Sequence, residues 1–316
     1  MLVHRGWSAR AAGLGHVVAI GNFDGVHLGH QAILRELENA ARRFGLASCV
    51  VTFEPHPREF FSPHAAPTRL TSLREKCELL ERHGVARAQI IRFNRALANL
   101  SADRFIEQIL VQGLAARWVM IGEDFRFGNK RGGDLASLQT AGAKYGFEVQ
   151  AMPTVLTAQG TLAATRVSSS MLRGLLSAGD VGRAQSLLGR PYSISGRVVH
   201  GDKLGRTLGF PTANIRMRHN RPPLTGIYAV KVAGIADVPL EAVASMGVRP
   251  TVTGSGEMRL EVFIFDFSAD LYGRHLRIEF LKKLRDEEKY AGLEALKRQI
   301  AIDCDDAKAY FRAGQD

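Results

Sequence analysis

The chain has 316 residues, 46% hydrophobic and 23% charged, the composition of a folded globular protein with room for two domains. No stretch has the apolar length of a membrane span, the first residues lack the apolar region of a signal peptide, and Cys49, Cys77 and Cys304 make no disulfide or metal spacing, which together point to a soluble cytoplasmic protein with reduced thiols. The net charge of +11 favours acidic partners, but the basic residues are scattered without a like-charge block or interleaved aromatics, which argues for phosphorylated small molecules over nucleic acid or membrane.

In chain order, His16–Ile20 is a short apolar run ending at Gly21 and reads as a buried strand. Gln31–Phe44 carries Ile33, Leu34, Leu37, Ala40 and Ala41 at helical spacing, and Cys49–Phe53 reads as a second strand closed by Glu54-Pro55-His56-Pro57. Leu73–His83 and Ala102–Leu114 read as helices, with strands at Ala88–Phe93 and Trp118–Ile121. This alternation predicts a parallel sheet with helices on both faces. After about residue 187 the texture changes, with strands expected at 193–199, 226–232, 241–246, 259–267 and 276–280, and a helix at 290–311. That half reads as an antiparallel barrel or sandwich with a terminal helix. The boundary is expected near Leu187–Pro191, giving domains of 1–187 and 188–316.

The first strand delivers Gly21-Asn22-Phe23-Asp24-Gly25-Val26-His27-Leu28-Gly29-His30, with a helix starting near Gly29-His30. Gly21, Gly25 and Gly29 let backbone approach a phosphate, and the helix start offers free N–H groups at the positive end of its dipole. His27 and His30, three apart, can point the same way and stabilise charge on a phosphorus in transfer. Ser168, Ser169 and Ser170 open another helix with Arg173 one turn on; they suit a helix cap as well as a second phosphate loop, for which Arg173 offers a planar charged fork.

In the second half, Gly201, Lys203, Gly205, Arg206 and Gly209 lead into Pro211-Thr212-Ala213-Asn214, a glycine-punctuated segment that is not a Walker loop. The Thr212 hydroxyl and Asn214 amide oxygen are hard ligands suited to Mg²⁺, although the segment also reads as a long hairpin. Strand alternation puts Glu261, Phe263 and Phe265 on one face and Leu260, Val262 and Ile264 on the other. A carboxylate between aromatics suits a general base beside a planar substrate; the plainer reading is a surface carboxylate on an edge strand.

The stretches GNFDGVHLGHQ, TFEPHP (52–57), IGEDFRFGNKRGGD (121–134) and VSSSMLR (167–173) resemble the nucleotidylyltransferase superfamily and, within it, the prokaryotic bifunctional riboflavin kinase/FAD synthetases. The resemblance extends to GDKLGRTLGFPTANI (201–215), MGVRPTV (246–252), LEVFIFDF (260–267), DLYG (270–273) and LRDEEKY (284–290), and spans roughly residues 15 to 310. It implies a Rossmann-like nucleotidylyltransferase domain followed by a riboflavin kinase barrel. By the same resemblance His27 and His30 contact ATP phosphates and Ser168 to Arg173 form the second nucleotide loop. The turn holding Asp124 and Phe125, and the loop holding His56, border the FMN cleft; taken alone, Asp124 also reads as a turn or cap carboxylate and His56 as an incidental loop histidine. In the second half Thr212 and Asn214 hold Mg-ATP, Glu261 deprotonates a ribityl hydroxyl, and Arg285 lines the flavin side.

Two positions depart from the family: Ser170 stands where Thr is common, and Phe263 where many members carry His. The activity implied is phosphorylation of riboflavin to FMN, then adenylylation of FMN by a second ATP to FAD and pyrophosphate. The partners are small molecules: ATP, riboflavin and FMN. The HxGH pattern also occurs in class I aminoacyl-tRNA synthetases, but the lysine-rich KMSKS-type loop is missing.

Overall fold

The structure, a computed structural model, describes residues 1–7, 15–153, 166–201, 204–218, 221–249 and 257–314. It divides into two compact units: Met1–Pro67 with Leu73–Ser168, and Thr68–Ser72 with Ser169–Asp316.

The first unit runs β1 (Leu2–Arg5), β2 (His16–Ile20), α1 (Leu28–Phe44), β3 (Ala47–Glu54), α2 (Pro57–Phe61), α3 (Leu73–Arg82), β4 (Arg87–Arg92) and α4 (Arg95–Ala98). It continues with α5 (Ala102–Phe105), a π-type continuation over Ile106–Gly113, β5 (Ala116–Gly122), α6 (Leu135–Tyr145) and β6 (Glu148–Met152). The strands form one parallel sheet in the order β1-β4-β3-β2-β5-β6. Alternation along β2 sends Val17 and Ala19 to one face and Val18 and Ile20 to the other, so both faces carry a core. On the first face Leu34 and Leu37 of α1 and Leu79 and Leu80 of α3 pack in; on the second, Phe105, Ile106, Ile109 and Leu110 do. Each such side chain stabilises the fold by roughly 1.5–3 kcal/mol relative to exposure. Strand order reverses direction at β2, whose neighbours are β3 and β5. A parallel sheet opens a ligand crevice at the C-terminal ends of strands flanking such a point.

The alternating pattern revealed four strands of this sheet and missed its edges. All four residues of β1 are exposed, and β6 reads Glu-Val-Gln-Ala-Met with no fully buried position. Neither edge carries the continuous apolar run of a strand covered on both faces. Helix α1 also starts at Leu28, ahead of the expected Gln31, because His27 is its N-cap.

In the second unit follow α7 (Ser169–Ser177), α8 (Val181–Leu188), β7 (Tyr192–Val199), α9 (Leu204–Thr207), β8 (Ala213–Met217), β9 (Gly226–Ala233), β10 (Leu240–Arg249), β11 (Glu257–Ile264), β12 (His275–Arg285) and α10 (Leu293–Ala313). The strands close a barrel in the order β10-β11-β8-β7-β12-β9, antiparallel at every pairing. The alternative of a sandwich is thereby decided, and closure leaves no free edge. Helix α10 covers one outer flank, where Cys304, Ala307 and Phe311 meet Ile227, Ala229, Val243 and Phe265. Strand β11 ends at Ile264 rather than the expected Phe267, since Asp266 turns the chain at φ 52°. Strand β8 escaped the sequence pattern because only Ile215 within it is buried. Helices α7 and α8 group with this unit, although the sequence texture changes only after them.

Candidate active sites

In the first unit the loop after β2 leaves at the reversal point. Gly21 N–H donates to Val51 O at 3.1 Å, and the Thr52 hydroxyl donates to Asn22 O at 3.1 Å, so β3 holds the loop's first turn. Phe23 (φ 49°) and Val26 (φ 42°) both adopt left-handed backbone, rare for a bulky side chain and rarer for a β-branched one. Both are fully buried against the α1 and α3 face, and that burial holds the unfavourable geometry in place. Asp24 is buried, and Gly25 completes the turn at φ 85°.

His27 caps α1, its Nδ1 accepting from His30 N–H at 3.3 Å, which leaves the proton of the neutral ring on Nε2. The imidazoles of His27 and His30 stack at 3.7 Å with planes 17° apart, so they do share one direction. His27 is only 6% exposed, so it is no ordinary surface histidine. His30 Nδ1 is buried with no partner, and burial, then His27, then Lys76 hold its pKa well below 6.5. No acidic residue occupies the first turn of α1, which leaves the positive end of its dipole uncompensated within that turn.

A side chain on Gly29 would reach Val167 O at 3.6 Å, so the chain entering the serine segment passes beside this loop. Ser168 closes the first unit; Ser169, Ser170 and Arg173 belong to α7 in the second. Within that unit Arg173 Nε donates to Thr68 O at 2.6 Å, which fixes the guanidinium. At the end of β5, Asp124 pairs with Arg166 at 2.8 Å while both remain half or more exposed, and Phe125 stacks on Phe127 at 6.1 Å.

His56 caps α2: its Nδ1 accepts from Arg58 N–H at 3.1 Å and its own N–H donates to Glu59 at 3.2 Å. It is a structural cap, at 9% exposure. The sequence reading passed over an aromatic cluster there. Phe60, Phe61 and Phe93 lie with ring centroids 5.3–5.5 Å apart, and Phe61 is 64% exposed. The paired phenylalanines after the TFEPHP stretch were its available signal.

The second unit gathers its candidates around a cavity of about 280 Å³ lined by Gly205, Thr212, Asn214, Glu261, Phe263 and Arg285 among others. Register explains the gathering, since Glu261 pairs with Asn214 of β8 on one side and Ser245 of β10 on the other. Leu260 and Val262 are buried on the opposite face as alternation requires, and Glu261 lies on a central strand of a closed barrel, which removes the edge-strand reading. Phe263 meets Phe210 edge-on at 5.5 Å. A side chain on Gly201 would fall 2.3 Å from the Asn214 amide, and one on Gly205 3.2 Å from Thr212 Oγ1. These two glycines therefore form a cradle around the oxygen donors. Gly209 turns the chain at φ 90°, and Lys203 lies outside the described residues.

Arg285 makes two 2.7 Å hydrogen bonds to Asp303 of α10, whose Oδ1 also accepts from Gln299 at 3.1 Å. The bidentate pair raises the Arg285 pKa, so its charge is permanent. Asp303 gave no sequence signal, because nothing in a helical pattern marks an acidic residue as turned inward. Among the described residues no group of three His, Cys, Asp or Glu could hold a metal, and no helix is long and apolar enough to cross a membrane.

Comparison with known proteins bears on both units. The family profile described as FAD synthetase matches residues 10–170, and that of riboflavin kinase matches residues 188–311. The bifunctional riboflavin kinase/FMN adenylyltransferase of Escherichia coli (strain K12) is 46% identical over 94% of this chain and 93% of its own. The protein of that description from Pseudomonas fluorescens is 49% identical, covering 93% of each chain, and that from Haemophilus influenzae 45%, covering 95% of each. A solved structure described as a macrolide-efflux protein from Streptococcus pneumoniae matches with a TM-score of 0.80 and 30% identity, over 98% of this chain and 99% of that one.

Proposed function

The chain belongs to the bifunctional riboflavin kinase/FMN adenylyltransferase family, and from that premise we propose how its residues divide the work. It phosphorylates riboflavin with ATP to FMN, then adenylylates FMN with ATP to FAD, releasing pyrophosphate. We assign adenylylation to residues 1–187 and the kinase to 188–316; the FAD synthetase profile ends at 170 and the riboflavin kinase profile begins at 188, while compactness groups the helices between them with the second unit.

In the kinase, Glu261 takes the proton of a ribityl hydroxyl as that oxygen bonds to the γ-phosphorus of ATP and ADP departs. Arg285, fixed by Asp303, lines the flavin side. Thr212 and Asn214 would hold Mg²⁺, for which neutral hard oxygens beside a glycine cradle are suitable donors. When bound, the ion offsets phosphate charge; positioning is the work of the chain itself.

In adenylylation, an FMN phosphate oxygen attacks the α-phosphorus of ATP and pyrophosphate leaves, with no proton to move. Neutral His27 and His30 then serve as hydrogen-bond donors to the phosphates, with the α1 N-terminus beneath. Gly21, Phe23, Asp24, Gly25 and Gly29 shape that loop, and Ser168, Ser169, Ser170 and Arg173 supply the second nucleotide segment. Asp124 and Phe125 border the FMN cleft, with the His56-capped helix supporting it. The net charge of +11 suits these anionic small molecules, which we take as the only partners, in the cytoplasm.

The observation that carries this reading is the pairing of Glu261 with Asn214 on adjacent strands over the cavity, both within the second unit. The test is a chromatographic time course of riboflavin, FMN and FAD. Glu261→Gln should lose FMN formation by about 10²–10⁴-fold yet convert supplied FMN to FAD. The double variant H27A/H30A should accumulate FMN without FAD. Loss of both steps in either folded variant overturns the division.

A further inference from the structure

Helix α3 carries an unusual core residue. Its buried face reads Glu75, Lys76, Leu79 and Leu80, and Lys76 is 1% exposed. Lysine is rarely so buried, and an apolar side chain would fill the position without desolvating an ammonium.

The geometry around it leads to the nucleotide loop. Lys76 Nζ lies 3.4 Å from the hydroxyl of Thr52, itself fully buried, and that hydroxyl donates to Asn22 O at 3.1 Å. On the same loop, Asn22 Oδ1 and His30 Nδ1 are buried without partners, so the loop is not satisfied by the protein alone. His27, on its own helix start, and Lys76, from α3, are titratable groups whose charge lowers the His30 pKa after burial itself, while Asp24 and Glu75 are buried carboxylates of these same elements.

We propose that Lys76 is a positioning residue for adenylyl transfer, a buried ammonium that fixes the Asn22 turn through Thr52 and sets the positive potential around His30 and the incoming triphosphate. This rests on the reading that the Gly21–His30 loop takes the ATP phosphates. Two effects follow. The ammonium attracts the triphosphate through low-dielectric protein, and it disfavours a second cation at His30, which keeps that imidazole neutral and hydrogen-bonding.

The experiment uses the full chain with Lys76→Met, Lys76→Arg and Thr52→Val, and assays adenylylation of supplied FMN against pH, with the kinase step on the same samples. The His30 ring is titrated by NMR. Lys76→Met should raise the ATP KM of adenylylation by about tenfold. Removing a positive charge eases protonation of His30, so its titration and the acid limb of kcat/KM should both move to higher pH. Lys76→Arg should restore part of the KM and keep the titration low. Thr52→Val keeps the cation, so the titration should stay low while the KM rises by a smaller factor. The kinase rate should be unchanged throughout.

An unchanged KM and an unmoved His30 titration in Lys76→Met overturn the proposal. So does loss of both activities together, which makes Lys76 a core residue only. If Lys76→Met does not fold, Thr52→Val with wild-type adenylylation constants overturns it instead. Full adenylylation in His30→Ala would sink the loop assignment itself, a result separable from the others.

Discussion

On the proposed reading, the two units bind the same class of phosphate ligand by opposite constructions. In the first, the histidines come from one loop, where Phe23 and Val26 are held in left-handed backbone by burial and His27 caps the helix it precedes. In the second, the groups come from side chains that strand register aligns: Asn214 on β8, Glu261 on β11 and Arg285 on β12. Charge follows the same contrast. The loop keeps the His30 imidazole neutral by desolvation, whereas the barrel keeps a guanidinium charged by a bidentate carboxylate. A loop site is therefore exposed to changes of backbone and pH, and a register site to changes in the residues that brace it.

The largest expected effect breaks the brace. Arg285 and Asp303 side chains are 19% and 6% exposed, so Asp303→Ala leaves a partly buried guanidinium unpaired. Removing one partner of such a pair costs about 3–5 kcal/mol. A denaturant titration should show that loss together with a failing kinase; a change below about 1 kcal/mol would class the pair with surface ion pairs. His27→Ala is the counterpart in the loop. It removes both a helix cap and a phosphate-facing donor, and adenylylation of supplied FMN should fall by about 10²–10³-fold with the kinase intact.

A smaller change sharpens the contrast between backbone and side-chain control. Gly201→Ala puts a methyl group where the Asn214 amide lies, and the amide is the mobile party. Stability should hardly change, while kinase kcat falls by about 100-fold, the scale of a misplaced catalytic group. Kinetics of FMN formation against FAD formation will separate the two steps.

What was legible in the sequence follows from these constructions. Glycines and histidines at a strand end announce a phosphate loop because their chemistry is local, and Gly21–His30 is placed at the sheet reversal as that reading requires. Glu261 was legible through alternation, which is also local. Lys76, Asp303 and the Phe60–Phe61–Phe93 cluster were not, since each matters through what a distant element brings against it. Strands β1, β6 and β8 escaped for a related reason: edges and half-covered strands lack the apolar run that marks a buried one.

Acid should act unequally on the two units. His30 and His16 both have lowered pKa values, burial being the largest cause for each. Above about pH 6.5 they are neutral whether folded or not, and their contribution is complete. As pH falls below 6.5, the unfolded chain takes up protons that the folded one refuses, and stability declines toward the lowered folded values. Both tryptophans, Trp7 and Trp118, lie in the first unit, so their fluorescence in urea reports that unit. Its midpoint should drop between pH 6.5 and 5; a flat profile would mean that the buried imidazoles accept protons as readily as free ones.

The smallest expected effect on stability is at Asp124, and it isolates function from folding. Its ion pair with Arg166 is 2.8 Å long, yet the side chains are 66% and 51% exposed, so Asp124→Asn should change stability by about 0–1 kcal/mol. If the turn after β5 borders the FMN cleft, the same substitution should alter the KM for FMN in adenylylation and leave the KM for riboflavin alone. A carboxylate beside a phosphorylated substrate repels it, while Arg166 attracts it, so freeing Arg166 from its partner should lower the FMN KM. Arg166→Gln should raise it. Equal constants in both variants would remove this turn from the cleft and leave the loop after β2 to supply the charge control there.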